Sequence, residues 1–323
     1  MSLTKLALKL AFAITLTTSA TTLATAQSGE VNVYVSQASA KDVVALFEQE
    51  YPDIRVNLLH LVTGPLATRF ANEAETGVNA ADVLIIATPS VFHSHPEWFV
   101  SLPEAGLPAY DSWTASLKTE NYVRSTIGKA TILYNTNNVA ADEVPDSWED
   151  LADPRWQGKL TLIDPSSGDT YMSWALNMRR AFGDEFLQAI AAQNPTIAGG
   201  GLDAAQSVAS GAADISVPPF ATHASDLISQ GAPLAVANIG GPSLGNLTSI
   251  GLAARAPNPE NARLFFEFYL SEAGQSAACA GVSASGLGQV PNCEELPADF
   301  IPPSFDIPSE ESEAILTLLG IRK

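Results

Sequence analysis

Val31-Asn32-Val33-Tyr34-Val35-Ser36-Gln37 opens the stretch that decides the fold. Its first five residues are β-branched or aromatic at alternate positions, which predicts a strand. Lys41 to Tyr51 follows, with Val43, Val44, Leu46 and Phe47 at helical spacing and Pro52-Asp53 as a stop signal. Ile54 to Leu61 predicts a second strand. Thr63-Gly64-Pro65 starts a second helix, with the proline in a first turn where its missing N–H costs nothing. Asp82 to Ala87 predicts a third strand, an apolar run of the kind buried on both faces of a parallel sheet. Strand, helix, strand, helix, strand with short loops is a doubly wound α/β unit.

The pattern continues outward from there. Ala130 to Tyr134, Leu160 to Ile163 and Asp214 to Val217 predict strands, Tyr171 to Phe182 and His223 to Gln230 helices. A second α/β series therefore occupies about 136 to 245. Ser249 to Ala254 predicts a further strand, and Asn261 to Leu270 a strongly amphipathic helix. Pro297 to Pro308 is proline-rich and is expected to wrap a surface. Ser309 to Leu319 predicts a last helix, with Glu310 and Glu311 suited to its positive start.

The amino terminus has the order of a secretory signal peptide. Lys5 and Lys9 are basic, Ala11 to Leu23 is apolar and small, and Ala24-Thr25-Ala26 supplies the small-x-small pattern ahead of Gln27. The apolar run is too short and diluted to span a bilayer about 30 Å thick. A soluble chain from Gln27 to Lys323, outside the cytoplasm, is expected. Hydrophobic residues make up 46% and charged residues 16%, enough apolar material for one large domain or two lobes.

The formal net charge is −19, and removal of Lys5 and Lys9 makes it two units more negative. Such a surface repels nucleic acid and anionic headgroups, which excludes both as expected partners. Two cysteines, Cys279 and Cys293, in an exported chain predict one disulfide across a loop rich in glycine. No histidine lies near them to complete a metal site.

No enzyme constellation is present in the sequence. The histidines are His60, His93, His95 and His223; His93 and His95 read as solvated loop residues. Gly-x-Ser-x-Gly is absent. Gly199-Gly200-Gly201 lacks the Lys-Ser/Thr of a phosphate loop and reads as a turn. No catalytic residue, metal or cofactor is assigned.

Several short motifs stand in order across nearly the whole chain. They include Phe47-Glu48-Gln49-Glu50-Tyr51-Pro52-Asp53-Ile54, Ala80-Ala81-Asp82-Val83-Leu84, Tyr134-Asn135-Thr136, Pro145-Asp146-Ser147-Trp148-Glu149-Asp150-Leu151, Asp153-Pro154-Arg155-Trp156-Gln157-Gly158, Asp164-Pro165-Ser166-Ser167-Gly168 and Asn258-Pro259-Glu260-Asn261-Ala262. Together they resemble the periplasmic substrate-binding proteins of ABC importers, in the ferric-iron-binding-like branch of family 1. The resemblance implies an α/β fold of two doubly wound lobes joined by two hinge strands, with ligand held in the cleft. Crossovers are then expected at Ala130 to Asn135 and Ser249 to Ala254. Lobe 1 would be 27–132 plus 250–323, and lobe 2 133–249. The implied role is capture of a small solute by a monomer that delivers it to membrane permease subunits; service to a membrane sensor is the alternative class.

Ligands of open α/β sheets bind beyond the carboxyl ends of the strands. That selects Ser36, Gln37, Thr63, Gly64, Thr88, Pro89, Ser166, Ser167, Gly168, Asp169 and Thr170, with Tyr171 and Phe220 as cleft walls. Several begin helices, where free N–H groups favour an anion. Ser166 and Ser167 read equally as ligand donors and as helix caps. Iron-binding members hold Fe3+ through adjacent tyrosines in the second lobe, often helped by a histidine after the first strand. Here the corresponding stretches read Pro218-Pro219-Phe220-Ala221-Thr222-His223 and Gln37-Ala38-Ser39, and no Tyr-Tyr pair occurs. The expected ligand is therefore a small organic anion or zwitterion, such as a phosphonate, phosphorylated metabolite or carboxylate. Fe3+ held with a synergistic anion is the alternative.

Overall fold

A computed structural model describes residues 28–281, 283–296 and 300–322. The expected signal peptide and its cleavage point lie outside the described residues. No helix among the described residues is long and apolar enough to cross a membrane.

The opening stretch forms β1 (Gly29–Val35), α1 (Ala40–Glu50), β2 (Ile54–His60), α2 (Thr63–Thr76) and β3 (Val83–Ile86). Short α3 (Ser90–Ser94) and α4 (Pro108–Ser112) lead to β4 (Val123–Lys129). The chain then enters β5 (Ile132–Asn135), β6 (Leu160–Ile163), α5 (Asp169–Phe182), α6 (Asp184–Ala192), β7 (Thr196–Ala198), α7 (Gly201–Ala209), β8 (Ile215–Val217), α8 (Ser225–Ser229) and β9 (Leu234–Ala237). It returns through β10 (Ser243–Leu252), α9 (Pro259–Leu270), α10 (Glu272–Cys279) and β11 (Ala284–Ser285), and closes with β12 (Phe300–Ile301) and α11 (Ser309–Leu318).

Two sheets result. The first has the order β11-β4-β10-β3-β1-β2, with β12 beside β10; the second has the order β7-β6-β8-β5-β9. β1, β2 and β3 are parallel, and β10 runs against them. β6, β7 and β8 are parallel, and β5 runs against β8. The alternation seen in β1 places Val31, Val33 and Val35 in a core with Phe47, Phe265 and Phe266. Tyr34 turns to the other face, among Leu66, Leu84 and Phe92. Both faces of the sheet are thus covered by helices, as its apolar strands require.

The motifs of the first sheet are structural devices. Asp82 is fully buried; its carboxylate accepts from Asn32 N at 2.7 Å, Asn258 N at 2.6 Å and Asn258 Nδ2 at 2.9 Å. This ties the entry of β3 to the start of α9. In the second sheet Asn135 Nδ2 donates to Val208 O at 2.7 Å, fixing the end of β5 against α7.

Two sequence expectations differ from the structure. β10 begins at Ser243, six residues ahead of the expected Ser249, and Gly245 already pairs with Lys129 in the first sheet. Asn238 to Pro242 thus joins β9 of the second sheet to β10 of the first, and Ala130 N, between β4 and β5, donates to Leu244 O at 2.7 Å. Gly245 masked the strand pattern, but no side chain fits there: a Cβ would lie 2.2 Å from Gly128 O. Second, 250–323 does not pack wholly with the first sheet. β12 pairs with the start of β10, Ser304 N donates to Ser173 Oγ at 2.7 Å, and α11 buries Ile315 and Leu316 among Trp148, Trp174 and Leu160 of the second.

Cys279 and Cys293 form the expected disulfide, with a Cα–Cα distance of 5.2 Å. The two histidines read as solvated do make contacts: His93 Nε2 lies 2.7 Å from Tyr122 Oη, and the His95 ring stacks on Trp98.

Candidate functional site

The two sheets meet at the carboxyl ends of their parallel strands. Thr88, just after β3, donates from Oγ1 to Asp169 Oδ2 at 2.8 Å; Asp169 opens α5 after β6. Thr88 Oγ1 also lies 3.2 Å from Ser90 Oγ and accepts from Ser90 N at 3.4 Å. Ser36 binds the same loop, since its Oγ accepts from Ala87 N at 3.0 Å and its N–H donates to Ile85 O. Gln37 Oε1 is buried without a hydrogen-bond partner among the described residues. Pro89 is buried, and its carbonyl accepts from Phe92 N and His93 N to start α3.

Not every sequence candidate joins this cluster. Gly64 is exposed on an open groove along α2 with Thr68 and Arg69, and among the described residues no hydrogen bond from Thr63 or Gly64 reaches the second sheet. Ser166 and Ser167 are exposed and turned back on Asp164: Ser166 Oγ lies 2.7 Å from Asp164 Oδ1, and Ser167 Oγ donates to Asp164 O at 2.6 Å. Their hydroxyls here stabilise the turn. Gly168 is extended, and Thr170 is half-buried one residue after Asp169.

The ends of β6, β7 and β8 gather Tyr171, Gly201 and His223. His223 Nδ1 accepts from Phe220 N at 3.3 Å, so Nε2 carries the proton and points to Tyr171 Oη at 3.4 Å. Phe220 is 3% exposed and packs beside Tyr171, with ring centroids 6.3 Å apart. Gly201 has no room for a side chain, because a Cβ would lie 2.2 Å from His223 Cε1. Burial pushes the Tyr171 phenol up to about 12, against the lowering effect of the Gly201 N–H bond. Burial also pushes His223 down to about 4. Both groups are neutral at pH 7. Ser90, Gly201 and His223 were not selected from the sequence; the glycine run directly ahead of a helix was the available signal.

The His223 shift has a consequence for stability. Its folded-state value lies below the ordinary histidine value of 6.5, so the unfolded chain binds the proton more tightly between those limits. Stability from this group is complete above pH 6.5 and is lost as pH falls toward 4. Denaturant titrations at pH 7, 6 and 5 should show the loss, and His223→Gln should flatten it; an unchanged slope in the variant would place the acid sensitivity elsewhere.

The family model of the bacterial extracellular solute-binding protein matches residues 97–310, more than half of the chain. The chain belongs to this family. Among curated relatives, this chain is 29% identical over 278 residues to Iron uptake protein A1 of Synechocystis sp., covering 76% of this chain and 72% of the relative. It is 25% identical over 194 residues to an uncharacterized Haemophilus influenzae protein, covering 57% of this chain and spanning 56% of that protein's length.

Solved structures share the fold of this solute-binding protein. The substrate-binding protein of an ABC transporter from Agrobacterium tumefaciens superposes with a TM-score of 0.76 at 17% identity, covering 90% of this chain and 94% of its own. Iron-bound HitA of Pseudomonas aeruginosa gives 0.66 at 19% identity, covering 90% and 98%. AfuA of Actinobacillus pleuropneumoniae, with fructose-6-phosphate bound, gives 0.65 at 21% identity, covering 91% and 98%. Family and fold are those of two-lobed substrate-binding proteins, not enzymes. Among the described residues, no group of three or more His, Cys, Asp or Glu side chains is placed to hold a metal ion.

Proposed function

We propose that this protein captures a small solute bearing an oxyanion between its two lobes and delivers it to an ABC-type importer. The observation that carries the reading is the Thr88–Asp169 hydrogen bond, which joins strand-end residues of the two sheets at one point. Lobe 1 is then the first sheet with its helices, and lobe 2 the second sheet with α11. Backbone N–H groups at the starts of α5 and α7 favour an anionic group there. Tyr171 and His223, both neutral, add polarity without a competing charge. The named ligand of AfuA, a sugar phosphate, belongs to the same chemical class. The chain works in the periplasm as a monomer, after cleavage near Ala26/Gln27, with permease and ATPase subunits as partners.

Fe3+ with a synergistic anion is the second reading, favoured by the names Iron uptake protein A1 and iron-bound HitA. Against it stand the missing tyrosine pair and a Tyr171 that must lose a tightly held proton before it can ligate. Ferric iron is a hard cation that wants anionic oxygen.

A thermal-shift series with alkylphosphonates, sugar phosphates, carboxylates and ferric citrate separates the readings. A true ligand at 100 times its Kd adds about 2.7 kcal/mol of stability. A shift with ferric citrate that citrate alone does not produce would overturn the oxyanion reading. Thr88→Val should leave folding intact and weaken binding about fivefold, the effect of losing one hydrogen bond across the closed lobes. Scattering should show a larger radius for the liganded variant than for the liganded native protein; identical radii and affinities would remove Thr88 from closure.

A further inference from the structure

A cavity of about 440 Å3 lies on the first lobe, away from the cleft. Ala80 and Ala81, which line it, precede β3, whereas Thr88 of the cleft follows the same strand. The cavity's apolar wall is Phe70 and Trp98. Both rings are held in place: Phe70 stacks on Phe99 at 5.3 Å, and the Trp98 indole lies on the His95 ring at 3.7 Å and 4°. The rim carries charges of both signs, Glu75 and Glu97 with Arg255. Glu73 also lines the cavity, but its carboxylate is committed to Tyr34 Oη at 2.7 Å and Arg69 Nε at 2.8 Å. Arg255 and Glu75 make no ion pair among the described residues; Glu97 reaches His95 Nδ1 at 3.3 Å.

We propose that this cavity is a second ligand site, for an α-amino acid with an apolar side chain. Its volume lies within the range of small-molecule sites, about 300–1,000 Å3. The two fixed rings offer the apolar and π surface for the side chain. Arg255 meets the carboxylate, and Glu75 and Glu97 meet the ammonium, which a single-charge ligand would satisfy only in part. The site stands independently of what the cleft holds.

Calorimetry on the mature protein with L-phenylalanine, phenethylammonium and 3-phenylpropionate tests it. Phenylalanine should bind, and each analogue lacking one charge should bind at least about tenfold more weakly. Arg255→Gln should bring phenylalanine down to the level of phenethylammonium while leaving phenethylammonium unchanged. Arg255 is exposed, so this variant is expected to fold. Thr88→Val, in the cleft, should alter none of the three. Equal affinities for all three probes would mean apolar adsorption only and would overturn the proposal. So would no binding heat up to about 10 mM, a weak limit on any affinity scale, or loss of phenylalanine binding in Thr88→Val.

Discussion

Replacing Trp148 with alanine is expected to lower stability by about 3–5 kcal/mol, the range for deleting a large core aromatic. Trp148 is fully buried, in the cluster that holds Leu160, Trp174 and Ile315. Its indole N–H donates to Pro242 O at 3.1 Å, at the last residue before β10. The truncation therefore leaves a cavity and also strips a carbonyl of its partner where the chain recrosses between the sheets. Gly241 lies close as well, since a Cβ there would approach Trp148 Cδ1 at 3.2 Å. Trp148→Phe keeps most of the apolar contact and should cost only about 1–2 kcal/mol, mainly the hydrogen bond. Urea titration of the three proteins measures the difference. Similar midpoints for the alanine and phenylalanine variants would mean that packing at this site contributes little.

Breaking the Cys279–Cys293 link is the second large effect. Its residues are 14 apart in sequence, and a loop of this size is worth about 3 kcal/mol in the chain-entropy account. The enclosed segment bends repeatedly: Gly281, Gly288 and Asn292 all have positive φ, and Gly281 N donates to Asn292 O at 3.0 Å. Such a loop gains much freedom once untied. The double substitution Cys279→Ser with Cys293→Ser should lower the denaturation midpoint, and a reducing agent should do the same to the native protein but not to the variant. Equal midpoints with and without reductant would show that the loop is held by its other contacts.

Much of the first sheet was legible because its strands obey simple periods. Val31, Val33 and Val35 share one face, and the run Val83 to Ile86 is buried on both. β4 was missed for the opposite reason. Its Ser125 and Thr126 are buried, so small polar residues stand where the binary pattern requires apolar ones. The helical period of α11 announced a helix, but no period says which sheet a helix will cover. At the site, the rule that ligands bind beyond strand ends selected Ser36, Thr88 and Asp169, whose loops hydrogen bonds join. It also selected Thr63 and Gly64 after the edge strand β2, where Gly64 lines a separate groove along α2. It read Ser166 and Ser167 equally as ligand donors and as caps, and Asp164 lies near enough to engage both hydroxyls. Gly201 and His223 escaped because their value is mutual: one has no side chain so that the ring of the other can lie against it.

The route of the tail has a practical consequence. The described chain begins beside β1, in the first sheet, and ends after α11, which is seated on the second. Residues 28 and 322 of the described chain therefore lie on different sheets. A donor fluorophore near Ser28 and an acceptor after Arg322 would test the proposed closure as a change in energy transfer on ligand binding, with no label inside the fold. A surface that grips the protein by its carboxyl end would hold it by the second sheet and leave the first turned to solvent.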